Sequence, residues 1–132
     1  PNGTTDLRFE TLWPELFSGN SDVQFWDYTK DMNRNVDSIP NYSLCYSVHE
    51  NTTDSDIEKA FSNGLNCVVV GRLKRNDVKP ATYLGRNVVD GDKHDLRFLD
   101  PQGVFVVLFA KGGAYSDSTG FVRDVKQMEV VQ

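Results

Sequence analysis

The chain has 132 residues, of which 39% are hydrophobic, and this length suits one domain with a core of its own. We therefore predict a single domain over residues 1–132. The formal net charge of −5, from 19 acidic and 14 basic residues, disfavours nucleic acid and anionic membrane surfaces as partners. The longest apolar run, residues 104–110, is far shorter than the roughly 20 residues that span a bilayer.

The start of the chain and its cysteines bear on the compartment. Pro1 is not followed by a basic and then an apolar segment, so no signal peptide is predicted, and an initial proline indicates trimming or an excised piece. Cys45 and Cys67 each lie in a strand-like apolar run, where a buried free thiol is the expected state. Free thiols favour a reducing compartment, so we expect a cytoplasmic protein.

The first half of the chain predicts alternating helices and strands. Residues 9–17, FETLWPELF, space their apolar side chains at helical intervals, and residues 23–28, VQFWDY, are rich in strand-forming types. Residues 42–48 alternate as a strand does, and a helix over residues 56–61 follows. The apolar residues 65–73 then predict a strand covered on both faces. This strand, helix, strand order predicts a parallel βαβ unit.

Beyond Pro80 the pattern changes to strands without helices. Asp90-Gly91 lies between two runs of β-forming residues, 81–89 and 92–99, which predicts a hairpin with a type I′ turn. Residues 100–103, DPQG, predict a further turn before the last apolar strand. The predicted fold class is therefore α/β, with a small mixed sheet that combines a parallel βαβ unit and a C-terminal antiparallel hairpin.

The acidic stretch DGDKHD, residues 90–95, raises the question of a metal site. It lacks the glycine and glutamate positions of an EF-hand loop, and two distant histidines do not favour zinc. A magnesium or manganese ion needs only one or two carboxylates, so Asp92 and Asp95 are candidate ligands. The alternative is structural: Asp90-Gly91 makes the turn, while Asp92 and Asp95 cap backbone donors or face water.

Polar residues follow several of the predicted strands, where ligands gather in α/β sheets. Lys30 suits an anion, and His49 or Glu50 could act as a catalytic base. Lys111 precedes two glycines, as phosphate-binding lysines can, although the Walker spacing is absent. The alternative is that strand ends are polar because they meet solvent. The candidate ligand-binding residues are Asp6, Tyr28, Lys30, Ser47, Arg72 and Lys111.

Several stretches of the sequence resemble one bacteriophage family. They are LGRNVVDGDKHDLRFLDPQGVFVVLFAKGGAYSDSTGFV, NGTTDLRFETL, VQFWDYTK and NYSLCYSVHE, which together cover nearly the whole chain. The pieces VDGD, DLRFLDP and AKG, in that order, are fairly specific. On these residues the chain resembles the C-terminal half of the mycobacteriophage gene eighty-eight proteins. The resemblance implies a phage origin, a location in the cytoplasm of an infected bacterium, and a sheet similar to the α/β half-barrel of radical-SAM enzymes.

The resemblance supplies neither a reaction nor a cofactor. Longer members of the family carry a cysteine-rich N-terminal portion, whereas this chain has only Cys45 and Cys67. It therefore lacks the CxxxCxxC motif that would hold an iron–sulfur cluster, and no iron–sulfur activity is carried over.

Two classes of function stay open. The first is a protein that binds a small polar or phosphorylated ligand at the strand ends, extended to an enzyme that acts on a nucleotide-like substrate. The second is a non-catalytic protein that binds and inhibits a host factor. A third reading makes the chain the trailing part of a longer enzyme. A half-barrel leaves an unpaired edge strand and an apolar face, so we also expect self-association as a dimer or trimer.

Overall fold

One seven-stranded sheet organises the protein in the computed structural model, which describes residue 2 and residues 5–74, 77, 80–92 and 100–125. All its strand pairs are parallel except one, β4 with β5, which confirms the α/β class with a mixed sheet. None of the helices in the described residues is long and apolar enough to cross a membrane. In chain order the strands are β1 (Phe25–Thr29), β2 (Tyr42–Ser47), β3 (Asn66–Gly71), β4 (Thr82–Tyr83), β5 (Arg86–Asp90), β6 (Phe105–Phe109) and β7 (Val122–Arg123).

The predicted βαβ unit is confirmed as β2, helix α3 (Asp54–Ser62) and β3. Thr53 caps α3: its hydroxyl accepts from the Asp56 amide at 3.1 Å, while the Asp56 carboxylate accepts from the Thr53 amide at 3.0 Å. Ile57 and Ala60 form the buried stripe of the helix. The cap and the stripe together fix where α3 begins and which face it turns to the sheet.

The predicted first helix is instead two short ones, α1 (Phe9–Leu12) and α2 (Glu15–Ser18). Trp13 separates them with an extended φ of −149°. The residue before a proline is pushed out of the helical region by the proline ring, and Trp13 precedes Pro14. Phe17 of α2 is buried and stacks on Tyr42, with ring centroids 4.4 Å apart.

The antiparallel hairpin that the structure describes joins β4 to β5, earlier than predicted. Its turn residues Leu84 and Gly85 have φ of 47° and 78°, as a two-residue type I′ turn requires. At the predicted turn, the Gly91 amide instead donates to the Val107 carbonyl at 2.9 Å and continues the parallel ladder of β5 with β6. The strand predicted after that turn falls mostly on residues 93–99, outside the described residues.

The strand order is β1-β2-β3-β6-β5-β4. The first three strands follow the sequential order of half a barrel, and the insertion of β6 beside β3 then reverses it. On its other side β3 pairs with β2 along its first half and with β7 at Val70 and Gly71. After β3 the chain therefore moves past β6 and β5 to the edge strand β4. After β6 it moves the other way along the sheet, to β7.

The main core lies on one face of the sheet, beneath α2 and α3. Phe105 is fully buried there between the rings of Phe61 and Tyr83. Cys67 belongs to this core, whereas Cys45 belongs to a smaller cluster with Val68 and Val106. Both cysteines are buried thiols without a disulfide, as predicted. Burial raises the pKa of the Cys67 thiol to about 12, so it stays protonated and unreactive at neutral pH.

Candidate functional site

Six parallel strands bring their carboxyl ends to one edge of the sheet, which we call the carboxyl edge. In α/β sheets ligands bind outside this edge. At the boundary of β3 and β6 the chain after β3 leads to β4, beyond β6, while the chain after β6 leads back to β7, beyond β3, so the two connections cross there. The last residues of the six strands are Thr29, Ser47, Gly71, Asp90, Phe109 and Arg123.

A crevice of about 560 Å³ opens at this point, between the segment that follows β3 and the one that follows β6. We call it the β3–β6 crevice. Its volume falls within the range of small-molecule sites, roughly 300–1,000 Å³. The end of β6 gives it an apolar side, and the loop after β6 and one lysine after β3 give it polar groups. Its lining residues are Lys74, Phe109, Ala110, Lys111, Gly112, Tyr115 and Ser116.

Two lysines and a tyrosine carry the chemistry of the crevice. The Lys74 ammonium lies 5.4 Å from the centroid of the Tyr115 ring, a cation–π contact. No carboxylate among the described residues forms an ion pair with Lys74. The Lys111 ammonium pairs with Asp92 at 3.2 Å, and its side chain is 76% exposed. Both cations can therefore reach a ligand at little cost.

Arg72 builds the loop that carries Tyr115. Its guanidinium donates to the carbonyls of Tyr115 and Asp117, the latter at 2.7 Å, and pairs with Asp124 at 2.7 Å. One side chain thus braces the segment after β6 at two points and the segment after β7 at a third. The structure places this predicted ligand-binding residue beside the crevice, with its donors directed at the protein itself.

Asp117 completes the same loop. Its carboxylate accepts from the Thr119 hydroxyl at 2.8 Å and from the Val122 amide at 3.2 Å. These hydrogen bonds, that from Thr119 above all, hold the pKa of Asp117 below the usual 3.8. The loop between β6 and β7 is therefore fixed by an ionised carboxylate from within and by Arg72 from outside.

Asp92, one of the two predicted metal ligands, also lies at the carboxyl edge. One carboxylate oxygen accepts from the Phe109 amide at 2.8 Å, and the other pairs with Lys111. Asp92 therefore does cap a backbone donor, as the structural alternative expected. Asp95 falls outside the described residues. Among the residues that the structure describes, no group of three or more His, Cys, Asp or Glu side chains could hold a metal ion.

A second group of charges lies at the other end of the carboxyl edge, beside β1. Arg34 is only 1% exposed, and its guanidinium binds Glu10 through two donors at 2.7 and 3.1 Å, and Asp6 at 2.9 Å. It also donates to the Tyr42 hydroxyl at 2.9 Å, and that hydroxyl donates to the buried carboxylate of Asp27. We call these five residues the Arg34 cluster. Burial and the hydrogen bond to Asp27 raise the pKa of Tyr42 above its usual value.

A comparison with known families now places the chain. The model of the family described as gene product 88 matches residues 1–125. The chain belongs to this phage protein family. The family resemblance inferred from the sequence is thereby confirmed. No curated protein and no solved structure matches the chain.

In this gene product 88 family member, the two predicted catalytic residues lie on the loop between β2 and α3. The His49 ring accepts from the Asn51 amide at 3.3 Å, and the His49 carbonyl accepts from Arg123 at 2.8 Å. Glu50 is exposed. Among the described residues no hydrogen bond joins His49 to Glu50, and neither lines the β3–β6 crevice.

The remaining predicted ligand-binding residues of the gene product 88 chain lie on β1 and β2 or directly beside the end of β1. The carboxylate of Asp6 accepts from the Thr29 hydroxyl and the Lys30 amide, both at 2.8 Å, in addition to Arg34. The Lys30 side chain is exposed, and Ser47 is half-buried at the end of β2. Tyr28 lines a separate cavity of about 260 Å³. The predicted ligand-binding residues thus lie along the carboxyl edge, but the structure divides them between the neighbourhood of the β3–β6 crevice and the ends of β1 and β2.

Sequence reasoning missed Lys74, Tyr115 and the burial of Arg34 in this family member. Lys74 lies within the basic run RLKR, residues 72–75, which was a usable signal. Tyr115 follows Lys111-Gly112-Gly113 closely, so it lies in the same loop as Lys111, which was predicted. Nothing in the sequence separates Arg34 from the exposed charges of KDMNRN, residues 30–35, because only the fold brings Glu10 and Tyr42 to it.

Proposed function

We propose that this phage protein binds a small phosphorylated molecule in the β3–β6 crevice. The observation that supports the proposal is a crevice of ligand size at the carboxyl edge, lined by two lysines whose ammonium groups a ligand can reach. Arg72 and Asp117 brace the loop on one side of the crevice. A braced loop lowers the entropy that binding costs, because the site is formed before the ligand arrives.

The charges of the crevice suit an anion. Among the described residues, Lys111 is held by a surface ion pair, which contributes about 0–1 kcal/mol, and Lys74 by an exposed cation–π contact of similar strength. A hydrogen bond to a charged group contributes about 1.5–3 kcal/mol. A phosphate that enters the crevice therefore gains more from the two ammonium groups than they lose by leaving their present partners.

Binding can be tested with the full chain, inorganic phosphate and ribose 5-phosphate, followed by NMR. We expect both compounds to shift the amide signals of Lys74, Lys111 and Tyr115 more than those of α3. Substitution of both Lys74 and Lys111 by methionine should weaken binding at least tenfold, which corresponds to about 1.4 kcal/mol.

The matched control is Lys30→Met, which removes the same charge from the same edge at β1, three strand positions from β6. It should leave the affinity unchanged. If Lys30→Met abolishes binding while the double variant does not, the ligand site lies at the β1 end. If neither phosphate compound binds the wild-type chain, the proposal is wrong.

Two further expectations stay predictions beside this proposal. The buried thiols support a cytoplasmic location in the infected bacterium. The exposed side chains of Leu12 and Trp13, 65% and 52% accessible, support self-association. Native mass spectrometry of the full chain tests the second: a monomer at micromolar concentration would contradict it.

A further inference from the structure

We propose that the ligand of the β3–β6 crevice carries a nucleobase, which stacks on the Tyr115 ring, so that the ligand is a nucleoside monophosphate. The inference rests on the proposed phosphate site and adds the part of the ligand that phosphate chemistry does not specify. It depends on three features: the Lys74 side chain over the Tyr115 ring, the hydrogen bonds that hold the loop of Tyr115, and the number of charged side chains in the crevice.

The Tyr115 ring lines the crevice, and among the described residues a movable side chain lies over it. The Lys74 ammonium is 5.4 Å from the ring centroid, and Lys74 itself is exposed. A flat group can therefore take the place of the ammonium without any change in the backbone. A nucleobase suits the position because every base offers a π face to an aromatic side chain.

The backbone that carries the ring is held in place before any ligand binds. The Tyr115 carbonyl accepts from one nitrogen of Arg72, and the carbonyl of Asp117, two residues later, accepts from another at 2.7 Å. The Asp117 carboxylate in turn fixes Thr119 and Val122. A stacking platform works best when its backbone does not have to be ordered by the ligand.

The apolar part of the crevice suits a flat, partly apolar group. Phe109 and Ala110 line it, and both are largely shielded from solvent. Water leaves such a surface readily when an aromatic base covers it. The polar group Ser116 lies on the same loop as Tyr115 and can reach the ribose or the edge of the base.

The charge of the crevice favours one phosphate group. Its described ionic lining residues are Lys74 and Lys111, and Lys111 is paired with the neighbouring carboxylate of Asp92. When the base displaces Lys74 from Tyr115, that ammonium is free to join Lys111 at a single phosphate. A triphosphate would bring about four negative charges to a place that offers two ammonium groups, one of them shared with Asp92.

The test compares adenosine 5′-monophosphate with ribose 5-phosphate, which lacks only the base, by isothermal titration of the full chain. We expect the nucleotide to bind about ten- to hundred-fold more tightly. In Tyr115→Leu this ratio should fall to near one, while ribose 5-phosphate keeps its wild-type affinity. Tyr115→Phe, which retains the ring, should retain the ratio.

Each outcome separates the two proposals. Equal affinity of the wild type for both compounds overturns the nucleobase inference and leaves the phosphate site standing. A ratio that survives in Tyr115→Leu also overturns it, because the base then stacks elsewhere. If neither compound binds, the phosphate site and the nucleobase inference are both wrong. The fold of Tyr115→Leu is checked by its NMR spectrum, so a loss of structure is not mistaken for a loss of stacking.

Discussion

The two ends of the carboxyl edge use charge in opposite ways. In the Arg34 cluster the cation is 1% exposed, and the protein's own side chains occupy its guanidinium. In the β3–β6 crevice, Lys74 and Lys111 are exposed and weakly held. The comparison teaches that a charged residue at a strand end indicates a ligand site only where the fold leaves its donors unused.

The reason is the cost of taking charges out of water. A buried guanidinium loses several kcal/mol of hydration and must recover it through well-placed partners. The partners of Arg34 fix the approach of α1 and the loop after β1 to the sheet. An exposed lysine keeps its hydration in the folded protein and needs no partner there. Its water can therefore be replaced by a ligand at a small cost in free energy.

The largest effect should come from Arg34→Met. This change leaves Glu10 and Asp6 without their buried cation, and we expect the free energy of unfolding to fall by about 3–5 kcal/mol. Urea unfolding of the two proteins measures the difference. Arg8→Met is the control, because Arg8 pairs with Asp31 at the surface, with its side chain 51% exposed, and should cost no more than about 1 kcal/mol. Similar losses in both variants would show that burial does not set the contribution of Arg34 to stability.

A smaller loss of stability is expected from Arg72→Met. The change removes hydrogen bonds to two backbone carbonyls and one carboxylate from a side chain that is 26% exposed. We expect a cost of about 1–3 kcal/mol. Hydrogen exchange should increase in residues 112–121 and not in α3. Uniform exchange over the chain would show that Arg72 supports the sheet as a whole.

Acid should loosen the crevice loop through Asp117. The pKa of Asp117 is lowered in the folded protein. Its contribution to the stability of the loop is therefore fully present above the ordinary carboxyl pKa and is lost as the pH falls through the lowered value. We expect the amide signals of Tyr115 and Val122 to change below about pH 4. Asp117→Asn removes this titration. A transition that persists in the asparagine variant would assign it to another carboxyl group.

The smallest effect on stability should come from the crevice lysines. Lys74→Met and Lys111→Met remove exposed charges with weak partners, and we expect each to change the free energy of unfolding by no more than about 0.5 kcal/mol. The same urea experiment measures it. A loss above 1 kcal/mol in either variant would place that lysine with Arg34, as a structural residue.

The sequence allowed much of the sheet to be predicted, because its signals are local. The alternation over residues 42–48, the helical pattern over residues 56–61 and the apolar run of β3 each depend on neighbours within one element. The hairpin at Leu84-Gly85 was not predicted because it reaches a type I′ turn without the Asn or Asp that normally marks it. The strand order reverses at β6 for reasons that involve distant residues, which no local pattern contains.

The site was predictable only in outline. That polar groups would gather at the strand ends followed from the parallel unit, and Arg72 was chosen on that ground, whereas Lys111 was chosen because two glycines follow it. Whether the hydrogen-bond donors and acceptors of a given side chain are satisfied within the protein depends on partners far along the chain. Arg34 meets Glu10 across 24 residues, and nothing near Arg34 in the sequence announces this contact.

The long reach of Arg72 also has a consequence for how the protein is made. Its three partners lie 43, 45 and 52 residues later in the chain. During synthesis, β2, α3 and β3 can leave the ribosome and pair well before Tyr115 and Asp124 have been added. The crevice is therefore among the last parts of the molecule to exist, and a chain released before Asp124 would have most of its sheet and no finished place for a ligand.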